Sequence, residues 1–327
     1  MEEIVTNWIN TSTHMNTIER TMHILASDFY EKMEDKMNEI SIKAYAKINL
    51  GLDVIRRRED GYHELKMIMQ TINLYDSLTL TATEEPGIDL HINLSSLPCN
   101  ENNLVVKAAR LMMDTYGITQ GVKIELLKHI PIAAGMAGGS ADAAATLKAM
   151  NELFHLGASK EDLMRLGVTL GADIPYCIME GTALSEGIGE LLTPLKAMPS
   201  CHILIVKPNV NVSTKYVYQN LKLDETTIHP DIDGMVASIQ KNDLHGIVDR
   251  LGNVLETVTI PRHPKVEEIK KEMLSMGALG SLMSGSGPTV FGIFKNYTSA
   301  KRCYDAFKKG PYKSQTFLTL PYQPEHN

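Results

Sequence analysis

From Thr17 onward, Ile18, Met22, Leu25, Phe29, Met33, Met37 and Ile40 recur every three or four residues, with Glu, Asp and Lys between them. That period predicts an amphipathic helix over the first forty residues. The period then drops to two. Ile42, Ala44, Ala46, Ile48, Leu50, Leu52 and Val54 alternate with Lys43, Tyr45, Lys47, Asn49, Gly51 and Asp53. Such alternation predicts a long strand with Lys47 and Asn49 together on its polar face. After a turn at Glu59-Asp60-Gly61, further strands are predicted over 67–81, 88–94 and 122–127. A helix from Asn103 to Tyr116 lies between the last two and is stopped by Gly117.

A glycine-rich loop, Pro131 to Gly139, leads into an alanine-rich helix from Ser140 to about Leu156. A second helix opens at Ser159 with Asp162 three residues on, a capping-box pattern, and the segment from Gly171 to Pro175 reads as a turn. A new unit begins near Pro199. It holds a strand over 202–207, helical stretches to about Met276, two strands around a glycine loop over 281–294, and a last helix from Thr298 to Lys309. Strands and helices mix without a regular βαβ alternation, which predicts an α+β fold in two lobes. The resulting division is a helical extension over 1–40, an N-terminal lobe over 41–197 and a C-terminal lobe over 198–327.

Composition narrows the function classes. With 43% hydrophobic and 22% charged residues, the 327-residue chain is neither a disordered tail nor a rod. A net charge of −7 speaks against coating nucleic acid or an anionic membrane, but leaves room for a local anion pocket. Cys99, Cys177, Cys201 and Cys303 are scattered, which predicts reduced thiols in a cytoplasmic protein and no structural zinc. The uncharged run from Met276 to Phe294 contains five glycines and a proline, a poor composition for a membrane helix. The start, Met1-Glu2-Glu3, lacks the pattern of a signal peptide.

A helix start exposes unpaired N–H groups and the positive end of the dipole, so the glycines of 131–139 would let a phosphate approach the backbone. Ser140 could cap the helix and still face an anion. The loop lacks the Gly-Lys-Ser/Thr of a P-loop and the G-x-G-x-x-G of a dinucleotide fold. A tight packing turn would use the same glycines, and the loop alone leaves the two readings even. A second glycine loop, Ser284 to Thr289, is by itself a turn. One such loop per lobe, however, suggests a ligand at the lobe junction.

Taken in order, Ala46-Lys47-Ile48-Asn49-Leu50, Gly61-Tyr62-His63-Glu64-Leu65, Glu101-Asn102-Asn103-Leu104, the loop 131–144, Gly171-Ala172-Asp173-Ile174-Pro175 and the segment from Ser284 to Pro288 resemble the GHMP kinases from about Ser41 to Phe294. The first two motifs together resemble the branch that acts on a cytidine-diphosphate conjugate of methylerythritol in the non-mevalonate isoprenoid route. The resemblance implies two lobes, with ATP and substrate meeting in the cleft and the γ-phosphoryl passing to the tertiary 2-hydroxyl. Two other readings compete. One is a homoserine, mevalonate or phosphomevalonate kinase, against which Gly-Tyr-His-Glu speaks. The other is a nucleotide-binding regulator without turnover, against which intact Lys47 and Asp173 speak.

The resemblance also implies roles. Asp173 is the catalytic carboxylate, an ordinary weak base that need only orient the hydroxyl and take its proton late. Lys47 supplies the ammonium beside it, and Asn49 bonds the diol. Tyr62 and Tyr218 are faces on either side of the cytosine, His63 an edge contact, and Thr214 a substrate-side hydroxyl. Asn103, Leu104 and Lys128 line the purine pocket. Pro131, Gly135, Met136, Ala137, Gly138, Gly139 and Ser140 cradle the phosphates, which Gly285 and Gly287 approach from the other lobe. Without the resemblance, Lys47 and Lys128 read as solvated strand lysines and Tyr218 as a buried helix aromatic. Two departures stand out. Ala137 replaces a glycine of the family loop and narrows its backbone freedom, and Ala141 lacks a hydroxyl that the family carries there. Mg²⁺ is expected with ATP; Asp142 and Asp173 are acidic candidates near it, and neither is assigned as a ligand. The expected partner is a small molecule bearing a cytidine diphosphate group. The stripe of the first forty residues would be buried on the kinase or, through self-association, on a second copy; the first is preferred. Met37 could serve as an alternative start.

Overall fold

The computed structural model describes residues 38–324. The helix expected over the first forty residues lies outside them except for its last three positions. There the chain has already turned extended, because β1 begins at Glu39 and runs to Arg57. With β2 (His63–Thr83) it forms a long antiparallel hairpin. Four further strands join it: β3 (Ile88–Ile92), β4 (Gly121–Leu127), β5 (Thr182–Gly187) and β6 (Leu191–Pro194). A second, four-stranded sheet has β7 (His202–Val206) between β11 (Thr316–Thr319) and β10 (Val290–Phe294), with β9 (Gly280–Met283) beyond β10. The short β8 (Gly252–Asn253) belongs by sequence to the later half, yet pairs in parallel with β1 at Gly51 and Leu52. The two lobes are therefore stitched together. The C-terminal tail adds to this, as Tyr322 stacks on Tyr45 at 4.0 Å and bonds the Thr71 carbonyl.

The helices follow the same division. In the first lobe α1 (Leu104–Tyr116), α2 (Gly138–Leu153), α3 (Lys160–Val168) and α4 (Ile174–Met179) pack together and on the sheet. The second holds α5 (Thr214–Asn220), α6 (Ile232–Gln240), α7 (Leu244–Val248), α8 (Glu256–Arg262), α9 (Lys265–Ser275) and α10 (Tyr297–Lys309); α9 and α10 pack on the smaller sheet, while α6 packs on α7 and reaches β1 and β2. Asn103 caps α1, its Oδ1 accepting from the Val105 amide at 2.9 Å, and Gly117 ends that helix in the left-handed region. The capping box at Ser159 forms, with the Asp162 side chain returning to the Ser159 amide.

Strand β1 does not keep the alternation that its sequence suggests. Its register slips between Tyr45 and Lys47 and again between Asn49 and Gly51. Each slip turns the following residues to the other side of the sheet. Ala46, Ile48 and Leu50 thereby join a core with Ile203, Ile205, Phe291 and Ile293 of the second sheet. Ala44, Leu52 and Val54 lie instead with Val105, Met112, Ala143 and Leu147 under α1 and α2. Lys47 and Asn49, read as a solvated polar face, are buried at the junction of these two cores. Strands β5, β6 and β11 carry no strong period of their own and escape a reading by periodicity. The segment 171–175 is the entry to α4 rather than an isolated turn, since Ile174 opens the helix with Pro175 behind it. Among the described residues no helix is long and apolar enough to cross a membrane.

Candidate active site

A cleft of about 590 Å³ lies where the lobes meet. Its lining comes from β1 and β2, the start of α1, the glycine loop, the approach to α4, and the second lobe through Thr214, Tyr218, Gly285 and Ser286. Lys47 and Asp173 sit at this junction. The Lys47 ammonium donates to Asn49 Oδ1 at 2.8 Å and stands 3.8 Å from Asp173 Oδ2. Asn49 is oriented in turn by its amide on the sulfur of Met67 at 3.2 Å. The Lys47 backbone amide donates to the Met136 carbonyl at 3.2 Å, which fastens the glycine loop to the strand bearing the ammonium. Asp173 precedes the first turn of α4 without capping it, and its side chain is 35% exposed. A carboxylate that spends no lone pair on its own helix remains available to a substrate proton.

Below Asp173 the helix is anchored by Tyr176, whose buried hydroxyl meets Thr71 at 2.9 Å and donates to the Gly181 carbonyl at 2.7 Å. Cys177 lies in the same place. Burial, with the Asp173 charge adding to it, pushes its thiol far above the ordinary range, so it is an inert core thiol.

The two glycine loops touch. The Ser284 hydroxyl donates to the Gly135 carbonyl at 3.0 Å, and a Cβ on Gly135 would fall 2.3 Å from the Ser284 carbonyl. Gly135 also has φ +69°, and Gly285 and Gly287 take φ +58° and +86°. These positions require glycine for approach as well as for backbone shape. Behind them Asn253 donates to the carbonyls of Met283 and Gly285 at 2.9 and 2.8 Å. Thr214 meets Ser286 at 2.8 Å, hydroxyl to hydroxyl. Ser140 does not cap α2 as expected. The helix starts at Gly138, with Ala137 in the left-handed region (φ 56°) as its N-terminal boundary, so Ser140 falls inside the first turn and lines the cleft.

Of the remaining expected site residues, Leu104, Lys128, Pro131, Met136 and Gly139 line the cleft together. Asn103 lines it too, although its side chain is spent on Val105 and on the Pro98 carbonyl. Tyr218 lines the cleft and is packed by the His63 ring at 5.2 Å. Burial, then the Arg57 charge, lowers the His63 pKa. Burial, reinforced by Asp173, raises that of the Tyr218 phenol. Tyr62 is 61% exposed and stands outside the cleft lining.

Lys128 is not a solvated strand-end lysine. Its ammonium is buried between Asp76 and Asp142, with Asp142 Oδ2 at 2.6 Å. Burial disfavours the charge, but the two carboxylates outweigh it and the Lys128 pKa is raised. For Asp142 burial wins over the Lys128 charge, and the carboxyl is pushed up to about 7. Asp76 had no signal in the sequence, lying on a strand rather than in a recognisable motif.

Among the described residues no group of three or more His, Cys, Asp or Glu side chains forms a metal cage. Asp142 is buried and gives one oxygen to Lys128, whereas Asp173 is the more exposed of the two carboxylates that line the cleft.

Models of two domain families match the chain: the N-terminal domain of GHMP kinases over residues 103–181 and their C-terminal domain over 235–313. A protein of Lachnoclostridium phytofermentans named 4-diphosphocytidyl-2-C-methyl-D-erythritol kinase is 61% identical over 290 residues, covering 89% of this chain and 100% of its own. A protein of that name from Clostridium beijerinckii is 50% identical over 280 residues, covering 86% of this chain and 99% of its own. Among solved structures, a 4-(cytidine 5'-diphospho)-2C-methyl-D-erythritol kinase superposes with a TM-score of 0.75 at 31% identity, covering 87% of this chain and 100% of the other. A homoserine kinase from Cytophaga hutchinsonii, at 24% identity and TM-score 0.69 with 86% and 93% covered, shares the fold. The matched domains carry the glycine loop, the approach to α4 and the second glycine loop that build this cleft, and the chain belongs to the GHMP kinase family.

Proposed function

We propose that the protein is an ATP-dependent kinase that phosphorylates the 2-hydroxyl of 4-diphosphocytidyl-2-C-methyl-D-erythritol. The observation that carries this reading is the 61% identity to a kinase of that name along its entire length. The fold alone does not choose the acceptor, because homoserine and mevalonate kinases share it.

ATP enters from the side of Asn103, Leu104 and Lys128 and lays its phosphates on the backbone between Gly135 and Ser140. Mg²⁺ bound with it would offset the triphosphate charge. The cytidine diphosphate end of the acceptor lies toward Tyr218 and His63, with Thr214 and Asn49 fixing the alcohol. A neutral His63, favoured by its lowered pKa, can both donate to and accept from a base edge. Tyr62 joins the cytosine only if the hairpin tip that bears it moves inward.

The 2-hydroxyl oxygen attacks the γ-phosphorus while the bond from that phosphorus to the β,γ-bridging oxygen breaks and ADP leaves. The hydroxyl proton passes to Asp173. Lys47 holds the carboxylate and the incoming oxygen in place and offsets charge on the transferring group. This arrangement accounts for the burial of a lysine on a strand whose sequence suggests a solvated face.

The test is ADP release from MgATP with a panel of acceptors: the cytidine conjugate, homoserine, mevalonate and phosphomevalonate. Turnover restricted to the cytidine conjugate is expected. Turnover with another acceptor and none with the cytidine conjugate would overturn the proposal.

A further inference from the structure

The Asp76–Lys128–Asp142 cluster lies beside the nucleotide end of the cleft and takes no part in the phosphoryl transfer described above. Its three members come from separate elements: β2, the residue that follows β4, and the second turn of α2. All three are almost fully buried, Asp76 at 0% exposure. Asp76 makes three contacts at once. Its Oδ2 accepts from the Lys128 ammonium, and its Oδ1 accepts from the amides of His129 and Ile130, the second at 2.8 Å. It thus grips both the side chain of Lys128 and the backbone that leads into the glycine loop. On the other side Asp142 Oδ2 holds the same ammonium at 2.6 Å. The Lys128 backbone is fixed as well, its amide donating to Asn93 Oδ1 at 2.8 Å.

The ammonium ends directly beneath the phosphate loop. A Cβ built on Gly138 would lie 3.4 Å from Lys128 Nζ. A lysine ammonium has three N–H donors, and two are spent on Asp76 and Asp142. The third is the one left for a ligand in the cleft that Lys128 lines.

We propose that Asp76 is a positioning residue of the nucleotide site, acting through Lys128: with Asp142 as the second restraint, it fixes the ammonium so that its one remaining N–H is aimed at bound ATP. Left with a single carboxylate, the long side chain would be free to turn toward the triphosphate or toward Asp142. The orientation of the nucleotide would be lost with it. This inference rests on the reading of the cleft as an ATP site, and its test is a binding measurement that needs no turnover.

Calorimetric binding of a non-hydrolysable ATP analogue with Mg²⁺ is compared in the parent protein, Asp76→Asn, Lys128→Met and the double variant. Asp76→Asn keeps the Oδ1 acceptor for the two amides and removes the partner of the ammonium. Its analogue affinity is expected to fall about tenfold or more, the scale on which lost positioning acts. Affinity for a cytidine nucleotide should stay within about twofold, a split that general unfolding would not produce. On the Lys128→Met background, Asp76→Asn should cost no further analogue affinity, since the residue through which it acts is gone. An equal loss on both backgrounds, or an unchanged affinity in Asp76→Asn, would overturn the proposal. If Asp76→Asn does not fold, the double variant, which has no buried cation to strand, is set against Lys128→Met alone and decides the same point. Failure of the cytidine acceptor to turn over, with these binding changes intact, would strike the proposed function and leave the positioning role standing.

Discussion

The hydroxyl of Ser284 donates to the carbonyl of Gly135 at 3.0 Å, joining two loops that lie 149 residues apart and belong to different lobes. A conformational change that separates the lobes must break this contact or carry both loops with it. The glycine loop is therefore positioned from the second lobe as well as from its own helix.

Gly135→Ala should be severely destabilising. The added Cβ would meet the Ser284 carbonyl at 2.3 Å, and the residue would be held at φ +69°. The left-handed region alone costs a non-glycine residue about 1–2 kcal/mol, and the clash adds to it. A loss of at least about 2 kcal/mol in urea unfolding is expected. A midpoint equal to the parent's would show that the loops do not pack in this way in solution.

Ala137→Gly should act in the opposite direction. Ala137 takes φ 56° at the boundary of α2 and makes no side-chain cap bond. Glycine removes the left-handed penalty of about 1–2 kcal/mol but costs about 0.5–1 kcal/mol in unfolded-state entropy. A small net gain, on the order of 0.5 kcal/mol, follows. Thermal unfolding measures it, and a lowered Tm would mean that the alanine methyl has packing value there.

Much of the site was legible because its motifs are local. Lys47 with Asn49, the glycine loop and the segment around Asp173 each fall within a few consecutive residues, and the cleft brings them together. The burial of Lys47 was not legible, because it follows from two register slips in β1 that strict alternation conceals. The partners of Lys128 were hidden for another reason: Asp76 and Asp142 are 52 and 14 residues away, and no period or motif links them. Short strands such as β6, four residues paired to β5, owe their form to the sheet rather than to their own composition.

Asp142 gives a pH-dependent signature. Its carboxyl is pushed up to about 7 by burial, against the Lys128 charge, while an unfolded Asp titrates near about 3.9. Between these values the folded protein holds a proton that the unfolded chain has released. Stability from this group is therefore lost as pH rises from about 4 to about 7. Asp142→Asn cannot titrate, so its stability relative to the parent should rise between pH 5 and pH 8. Urea midpoints at the two pH values read the difference. A parent–variant gap that is the same at both would mean that Asp142 is ionised throughout.

Asp173→Asn separates chemistry from binding. The amide keeps the size of the carboxylate and can still face Lys47, now 3.8 Å from Oδ2, but it cannot receive the alcohol proton. General-base contributions run to about 10²–10⁴-fold, so kcat should fall by at least about a hundredfold while cytidine-substrate affinity changes little. Lys47→Met should also lower kcat, and it should disturb the alcohol site more widely because Asn49 loses its 2.8 Å restraint. The two changes share one interaction. Their combined effect on kcat should therefore be smaller than the product of the single effects. Fully multiplicative losses would show that the ammonium and the carboxylate act on separate steps, and near-normal kcat in Asp173→Asn would remove the carboxylate from the reaction.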